Sequence, residues 1–159
     1  MSDVVIYTDG AAFGNPGPGG YAAILGSGNA YKEISGGFAH TTNNRMELLA
    51  VIMGLEALKR DSCNVTIYTD STYVANAVEQ GWLFDWERKG FRNKKNPDLW
   101  RRFLISYRKH KIKMIWIKGH AGNTMNERCD VLAVAAAKAP NLPADEQYLA
   151  SIQQDNLFE

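Results

Sequence analysis

The residues best suited to chemistry are two aspartates that end two nearly identical apolar segments. Asp9 closes Ile-Tyr-Thr-Asp at residues 6–9, and Asp70 closes the same four letters at residues 67–70. A helix-forming segment lies between them, and a strand–helix–strand crossover places its two strands parallel and side by side. The carboxyl ends of parallel strands share one edge of a sheet, where open α/β sheets bind ligands. The repeat therefore predicts two neighbouring carboxylates at that edge.

Two carboxylates held a few Å apart repel each other, and each raises the pKa of the other. A fold tolerates such a pair mainly when a cation neutralises it, and hard oxygen ligands suit Mg²⁺ or Mn²⁺. Either aspartate alone is better explained as a turn former or a helix cap. Because the two are matched in placement, the pattern favours a metal site.

Three further residues are weaker candidates when each is taken alone. Glu47 follows a predicted N-cap, Asn44, by three residues, and a capping box explains it. Asp130 lies in the first turns of the last predicted helix, where the helix dipole favours acids. If both helices pack near the strand tips, a cluster of four carboxylates is possible: Asp9, Glu47, Asp70 and Asp130. His120, in the loop Lys-Gly-His-Ala-Gly-Asn, can move protons near neutral pH, or is an ordinary loop histidine.

Hydrophobic patterns predict the elements that must position these groups. Strands are predicted at residues 4–8, 21–25, 31–34, 65–69 and 112–118, and helices within 41–60, at 71–80, from 96–97 onward and at 124–139. The first three strands are spaced as an antiparallel meander, and strands then alternate with helices. This order predicts an α/β fold with a mixed sheet.

Length and composition limit the class of protein. The chain has 159 residues, 45% hydrophobic and 22% charged, which is typical of one globular domain. No apolar run approaches the roughly 18–20 residues of a membrane helix, and the N-terminus has no signal-peptide pattern. The two cysteines, Cys63 and Cys129, form no CxxC pair. We therefore expect a reduced, cytoplasmic protein without a membrane segment.

The charge is unevenly distributed, although the net charge is only +1. Residues 82–111 contain ten basic and three acidic residues, a net charge of +7, whereas the rest of the chain carries −6. Such asymmetry predicts a polyanionic partner that binds at one place, and a solvated basic helix and loop is an equally weighted alternative.

Four sequence blocks, in this order, resemble type 1 ribonuclease H of the bacterial kind. They are TDGAAFGNPGPGGYAAIL, TTNNRMELLAVIMGLEAL, YTDSTYV and KGHAGNTMNERCDVLA, and the resemblance runs from about Val4 to Ala139. It implies a ribonuclease H-like fold: a five-stranded mixed sheet with strands 1–3 antiparallel, strands 4 and 5 parallel to strand 1, and helices on both faces. It also implies one domain at 1–140 with a basic handle at about 82–100, and we expect residues 141–159 to be a mobile tail.

The resemblance implies an endonuclease that cuts the RNA strand of RNA–DNA hybrids and so removes RNA primers and R-loops. It assigns metal binding to Asp9, Glu47, Asp70 and Asp130, and proton transfer to His120. It assigns substrate contacts to Asn15, Thr42, Asn43, Asn44, Thr72, Trp82 and Trp86, and the handle cations Arg88, Lys89, Arg92, Lys94 and Lys95 supply phosphate contacts. Two Mg²⁺ ions are expected, with Mn²⁺ as a substitute, and cleavage should leave 3′-hydroxyl and 5′-phosphate ends.

Some positions depart from the family pattern, and some alternatives remain. Ala11-Ala12 stands where Ser-Cys is common, Thr72 replaces a common Gln, and the handle from Gly90 to Trp100 is shorter than in the best-known relatives, so these departures concern the affinity of the handle and not the chemistry. A non-catalytic hybrid-binding module would not require all four acids, and a transposase or integrase core would need a further DNA-recognition domain.

We expect a monomer. The segment Gln154 to Phe158 is similar to peptides that dock on the bacterial sliding clamp through Gln154, Leu157 and Phe158, and a frayed amphipathic tail is the simpler alternative.

Overall fold

Five strands form one mixed sheet in the order β3-β2-β1-β4-β5. The structure, a computed structural model, describes residues 2–119 and 122–156. The strands are β1 (Asp3–Ala12), β2 (Gly17–Ser27), β3 (Ala30–Thr41), β4 (Asn64–Thr69) and β5 (Lys111–Trp116). The helices are α1 (Asn43–Glu56), α2 (Thr72–Glu79), α3 (Trp82–Arg88), α4 (Pro97–Tyr107), α5 (Thr124–Ala137) and α6 (Glu146–Asn156).

The pairing of the strands confirms the predicted topology. β1 pairs antiparallel with β2, and β2 pairs antiparallel with β3, which is the expected meander. β1 also pairs parallel with β4, with Ile6 opposite Ile67 and Tyr7 opposite Tyr68, and β4 pairs parallel with β5. The repeated tetrapeptide therefore occupies equivalent positions on two central neighbours.

The main hydrophobic core lies between the central strands and helices α1, α2 and α4. Ile6 and Ile67 are fully buried there, together with Leu48 and Ile52 of α1. Trp100 of α4 is also fully buried. Helix α5 packs against β1, β2 and β3 through small buried side chains outside this cluster, so helices cover both faces of the sheet.

Two helix starts differ from the sequence prediction. Helix α1 is capped by Thr42, whose side chain accepts a hydrogen bond from the Arg45 N–H, and not by Asn44. The pattern Thr124-x-x-Glu127 is typical of a capping box and predicts a cap at Thr124, but helix α5 is capped by Asn123, whose amide oxygen accepts from the Asn126 N–H at 2.9 Å. Both caps have extended backbone, as an N-cap requires, and the polar residues that follow them made the sequence pattern ambiguous by one or two positions.

The first three strands are longer than the sequence predicts, and helix α6 is additional to the predicted elements. β3 runs from Ala30 to Thr41 because its backbone pairs with β2 along most of that length, although its own side chains are mostly half-buried or exposed. Helix α6 lies inside the segment expected to be a mobile tail, and the mobility of that segment stays a prediction. In the described part of the chain, no helix has the length and apolarity needed to cross a bilayer.

Candidate active site

Asp9 and Asp70 lie together at the carboxyl edge of the parallel strands. Each follows the last residue of the β1–β4 pairing by two positions, after Tyr7 and Tyr68 respectively. One carboxylate oxygen from each, together with one from Glu47, forms a group whose atoms all lie within 4.8 Å of one another. The repeated tetrapeptide therefore delivers both acids to a single cluster.

Glu47 reaches this cluster because α1 begins directly against β1. A Cβ atom on Gly10 would lie 2.4 Å from the Glu47 backbone nitrogen and 2.5 Å from the Met46 carbonyl carbon. Only glycine permits that approach, since both obstacles are backbone atoms that a side chain could not displace. The close contact places the first turn of α1 beside the end of β1, and the Glu47 side chain lies next to Asp9.

Asp130 is brought to the same place by α5 from the other face of the sheet. Its neighbour Cys129 is fully buried, and the thiol donates to the Tyr7 carbonyl oxygen at 3.3 Å, which fixes α5 against β1. Asp130 is half-buried, and its carboxyl is close enough to Asp9 to raise the pKa of Asp9. Burial raises the pKa of the Cys129 thiol to about 12, so this sulfur is a neutral packing group and not a nucleophile.

The electrostatics of the cluster are unfavourable without a cation. Burial, the charge of Asp70 and the contact with Asp130 together raise the pKa of Asp9 to about 8, against the opposing hydrogen bond from the Gly10 N–H at 2.9 Å. Burial and the charges of Asp9 and Asp70 raise the pKa of Glu47 well above its ordinary value. Ionising all of these acids together is therefore unfavourable unless a cation lies beside them.

The donor set fits a hard divalent cation. The Glu47 Oε2 atom is buried and has no hydrogen-bond partner among the described residues. A buried carboxylate oxygen without a partner is costly, and a cation beside it would remove that cost. Because all the available ligands are carboxylate oxygens, Mg²⁺ or Mn²⁺ suits the cluster better than a softer metal.

A small cavity links the cluster to three of the predicted substrate residues. It has a volume of about 290 Å³ and is bounded by Glu47 and Asp70 of the cluster. The predicted residues on its wall are Asn43, Asn44 and Thr72. The side chains of Asn44 and Thr72 are exposed, so they face a ligand that enters this cavity from solvent.

Asn15 and Thr42 lie further along the same surface. The Asn15 side-chain oxygen accepts from the Asn43 N–H at 3.0 Å, which ties the β1–β2 loop to the start of α1. Both residues line a groove of about 830 Å³ that also contains Asn44, Lys94 and Lys95. The structure therefore brings the amide residues of the predicted substrate set together with two handle cations.

The two handle tryptophans line a third concave surface. Trp82 is 48% exposed, whereas Trp86 is half-buried and packs edge-on against Trp100 with ring centroids 5.9 Å apart. Trp82 and Trp86, one helical turn apart on α3, line a pocket with Lys89, Arg92 and Lys94. Lys94 also lies over the Trp86 ring, with its Nζ atom 5.0 Å from the ring centroid.

Three arginines of the basic segment form ion pairs with carboxylates of the protein itself. Arg88 forms an ion pair with Asp85, Arg108 with Glu87, and Arg102 with Glu56. These pairs are solvent-exposed and each stabilises the fold by little. The charges of Asp85 and Glu87 are already included in the net charge of +7 for residues 82–111, so of these pairs only that of Arg102 with Glu56 reduces that value further.

Sequence reasoning missed a buried ion network that holds the substrate-facing end of α1. Arg45 is 3% exposed and donates to Asp98 at 2.8 and 2.9 Å and to Asp145 at 2.8 and 3.1 Å. Thr41 also donates to Asp145 at 2.7 Å, and Asp145 accepts from the first turn of α6. Burial lowers the pKa of Arg45, but hydrogen bonds and charge from the two aspartates outweigh it, and the net shift is upward. The only sequence signal was an arginine within an apolar helix.

Three predicted residues lie outside the part of the chain that the structure describes. They are His120, which was assigned to proton transfer, and Leu157 and Phe158 of the clamp-like peptide. Gln154, the other residue of that peptide, is exposed on α6 and lines the 830 Å³ groove. Proton transfer by His120 and clamp docking stay predictions.

Comparison with known proteins gives consistent matches over most of the chain. The family model described as RNase H matches residues 1–138. The chain is 57% identical over 150 residues to Ribonuclease H of Desulforamulus reducens, covering 91% of this chain and 94% of that protein. It is 53% identical over 153 residues to Ribonuclease H of Nitratidesulfovibrio vulgaris (strain DP4), covering 93% and 97% of the two chains.

Solved structures give the same result for the fold. LC9-RNase H1, described as a type 1 RNase H with the type 2 active-site motif, matches with a TM-score of 0.78 and 29% identity, covering 86% of this chain and 72% of that one. LC11-RNase H1, solved in complex with an RNA/DNA hybrid, matches with a TM-score of 0.58 and 25% identity, covering 84% and 96%.

Proposed function

The chain belongs to the ribonuclease H family of nucleases, and we propose that its four carboxylates carry out metal-dependent cleavage of the RNA strand of RNA–DNA hybrids. The observation that carries this proposal is the compact group of Asp9, Glu47 and Asp70, with a buried Glu47 oxygen that has no partner among the described residues. A nucleic-acid-binding module without catalysis would have no need to hold costly buried acids at the end of its central strands.

Two Mg²⁺ ions, or Mn²⁺ in their place, would activate the attacking water and stabilise charge on the leaving 3′-oxygen. Asp9 is central in the cluster and would contact both ions, Glu47 and Asp70 would hold one, and Asp130 the other. The chain's own contribution is rigidity: Gly10 fixes the spacing of Glu47 from Asp9, and the Cys129 contact fixes α5. This chemistry gives products with 3′-hydroxyl and 5′-phosphate ends.

Substrate selection rests on the cavity of about 290 Å³ beside the cluster. Asn43, Asn44 and Thr72 adjoin the carboxylates, so they are the candidates to contact the 2′-hydroxyl groups that distinguish RNA from DNA. Thr72 is short, and its contact is accordingly the weakest of the three. LC11-RNase H1, a structural neighbour, was solved with an RNA/DNA hybrid, which supports the same class of ligand here.

The handle supplies affinity without sequence preference. Lys89, Arg92 and Lys94 surround the paired tryptophans, and Lys94 and Lys95 line the larger groove. Contacts of lysine and arginine with phosphates release counterions, so binding through them weakens steeply as salt rises. The aromatic faces of Trp82 and Trp86 would lie against sugar or base of the DNA strand.

We also propose that the protein acts as a cytoplasmic monomer. Both cysteines are free and buried, which fits a reducing compartment.

The test is a cleavage assay on matched RNA–DNA, RNA–RNA and DNA–DNA duplexes with Mg²⁺, with Mn²⁺ and with EDTA. We expect cleavage of the RNA strand of the hybrid only, with either metal and not with EDTA. Cleavage in EDTA would refute the metal assignment, and equal cleavage of all three duplexes would refute the assigned substrate.

A further inference from the structure

The backbone around Asp70 is fixed on both sides along the chain. Before it, Thr69 ends β4 fully buried, and its hydroxyl accepts from the Ser71 N–H at 3.0 Å. After it, Ser71 caps α2 by accepting from the Val74 N–H at 3.2 Å. These contacts set the path of the chain through residue 70.

A third restraint comes from β5, which lies at one edge of the sheet. The Trp116 indole N–H donates to the Asp70 carbonyl oxygen at 3.0 Å, and the next residue, Ile117, donates its backbone N–H to the Thr69 carbonyl oxygen at 2.8 Å. Trp116 is 49% exposed, so its large ring contributes little to the core. The feature that distinguishes it from other aromatic residues suited to this strand is the indole N–H.

Gly119 lies close to the Asp70 carboxylate. A Cβ atom at Gly119 would lie 2.8 Å from the Asp70 Oδ2 atom, whereas the Asp70 Cβ and Cγ atoms would be 3.6 Å away, in ordinary contact. The obstacle is thus the end of one side chain and not the backbone. A methyl group here would displace the carboxylate and leave the chain around it in place.

We propose that Trp116 and Gly119 are positioning residues for Asp70, with Trp116 fixing the backbone and Gly119 leaving the space that the carboxylate occupies when it binds a divalent cation. The inference rests on the proposed function, because it takes Asp70 as a metal ligand. Neither residue touches the reacting atoms, and each acts only through the position of Asp70. Groups that orient a metal ligand in this way commonly change metal affinity by about 10- to 100-fold when removed.

The test is calorimetric titration of Mn²⁺ into the substrate-free protein, using Trp116→Phe and Gly119→Ala. Trp116→Phe keeps an aromatic ring and removes the N–H, and Gly119→Ala adds the single methyl group. We expect each variant to bind Mn²⁺ about tenfold more weakly than the wild-type protein. In hybrid cleavage, the Mn²⁺ concentration for half-maximal rate should rise in parallel, while KM for the hybrid at saturating metal stays unchanged.

Two control variants separate positioning from general damage. Gly26→Ala adds the same methyl group in the β2–β3 hairpin, where the nearest atom would be the Ala30 carbonyl oxygen at 4.0 Å, and Tyr31→Phe removes a polar group from a 57% exposed ring. Both should bind Mn²⁺ as the wild-type protein does. All four variants should unfold in EDTA within about 2 °C of the wild-type protein, since no buried packing is lost.

The outcomes also separate this inference from the proposed function. Mn²⁺ affinities of Trp116→Phe and Gly119→Ala within twofold of the wild-type value would overturn the inference while leaving the nuclease assignment standing. A second outcome is that both variants bind Mn²⁺ more weakly than the wild-type protein, while the wild-type protein fails to cut the hybrid. This outcome would support the positioning role and refute the proposed function. A wild-type protein that binds no Mn²⁺ would overturn both.

Discussion

Replacing Asp9 with asparagine should make the metal-free protein more stable. The folded state holds the Asp9 pKa at about 8, mainly through burial and then through Asp70 and Asp130, against an ordinary value of 3.8. Because the pKa is raised in the folded state, the unfolded chain releases its proton first as pH rises. Stability is therefore lost from about pH 4 up to about pH 8.

The size of this effect follows from the same shift. At pH 7 only the part of the shift between the ordinary pKa of 3.8 and pH 7 contributes, and at 1.36 kcal/mol for each pKa unit it corresponds to at most about 4 kcal/mol. Asparagine keeps an oxygen that can accept from the Gly10 N–H, so that hydrogen bond survives the substitution. Since neighbouring groups relax around the charge, we expect Asp9→Asn to stabilise the metal-free protein by about 2 kcal/mol at pH 7.

The assay is urea unfolding in EDTA at pH 4.5, 7 and 8.5, with Asp61→Asn as a control that removes an exposed carboxylate. The advantage of Asp9→Asn should be small at pH 4.5 and grow towards pH 8.5, and the control should stay near zero throughout. Adding Mg²⁺ should stabilise the wild-type protein and have much less effect on Asp9→Asn. A variant less stable than the wild-type protein in EDTA at pH 7, or an advantage independent of pH, would refute this reasoning.

Three further perturbations test other parts of the molecule. Arg45→Met should cost about 3–5 kcal/mol in urea unfolding, because it leaves two aspartates without their buried partner; a cost below about 1 kcal/mol would show that the network adds little. Replacing Lys94 and Lys95 together with alanine should weaken hybrid binding in EDTA and make the slope of log affinity against log salt shallower by about 1–2; an unchanged slope in fluorescence anisotropy would remove their phosphate contacts. Trp82→Ala should raise KM for the hybrid while unfolding changes by less than about 1 kcal/mol, and an unchanged KM would exclude Trp82 from the binding surface.

The sequence was sufficient for the sheet because its signal was local. The repeated tetrapeptide marked two parallel neighbours, and the short spacing of the first three strands marked the meander. β3 was predicted too short because an edge strand gains its hydrogen bonds from β2, while its glycines and exposed side chains interrupt the hydrophobic pattern. The cap of α1 was misplaced because Thr42, Asn43 and Asn44 are all polar residues suited to that position.

The candidate site depended on information that no local pattern contains. A capping box explained Glu47 fully, and only the resemblance to ribonuclease H favoured it as a ligand. Its approach to Asp9 depends on the contact of Gly10 with the first turn of α1, between residues 37 positions apart in the chain. The restraints on Asp70 from β5 are likewise long-range, and Trp116 appeared in the sequence only as one of the apolar residues of the strand predicted at 112–118.

The central claim is that the carboxylate cluster holds the catalytic metal, and Asp70→Asn tests it most directly. Asparagine has nearly the same shape and removes only the charge, so the fold should be retained. With an end-labelled RNA–DNA hybrid and saturating Mg²⁺, we expect the wild-type protein to cut the RNA strand and leave 3′-hydroxyl ends, and the folded variant to show no cleavage above background. Near-normal cleavage by folded Asp70→Asn would contradict the account.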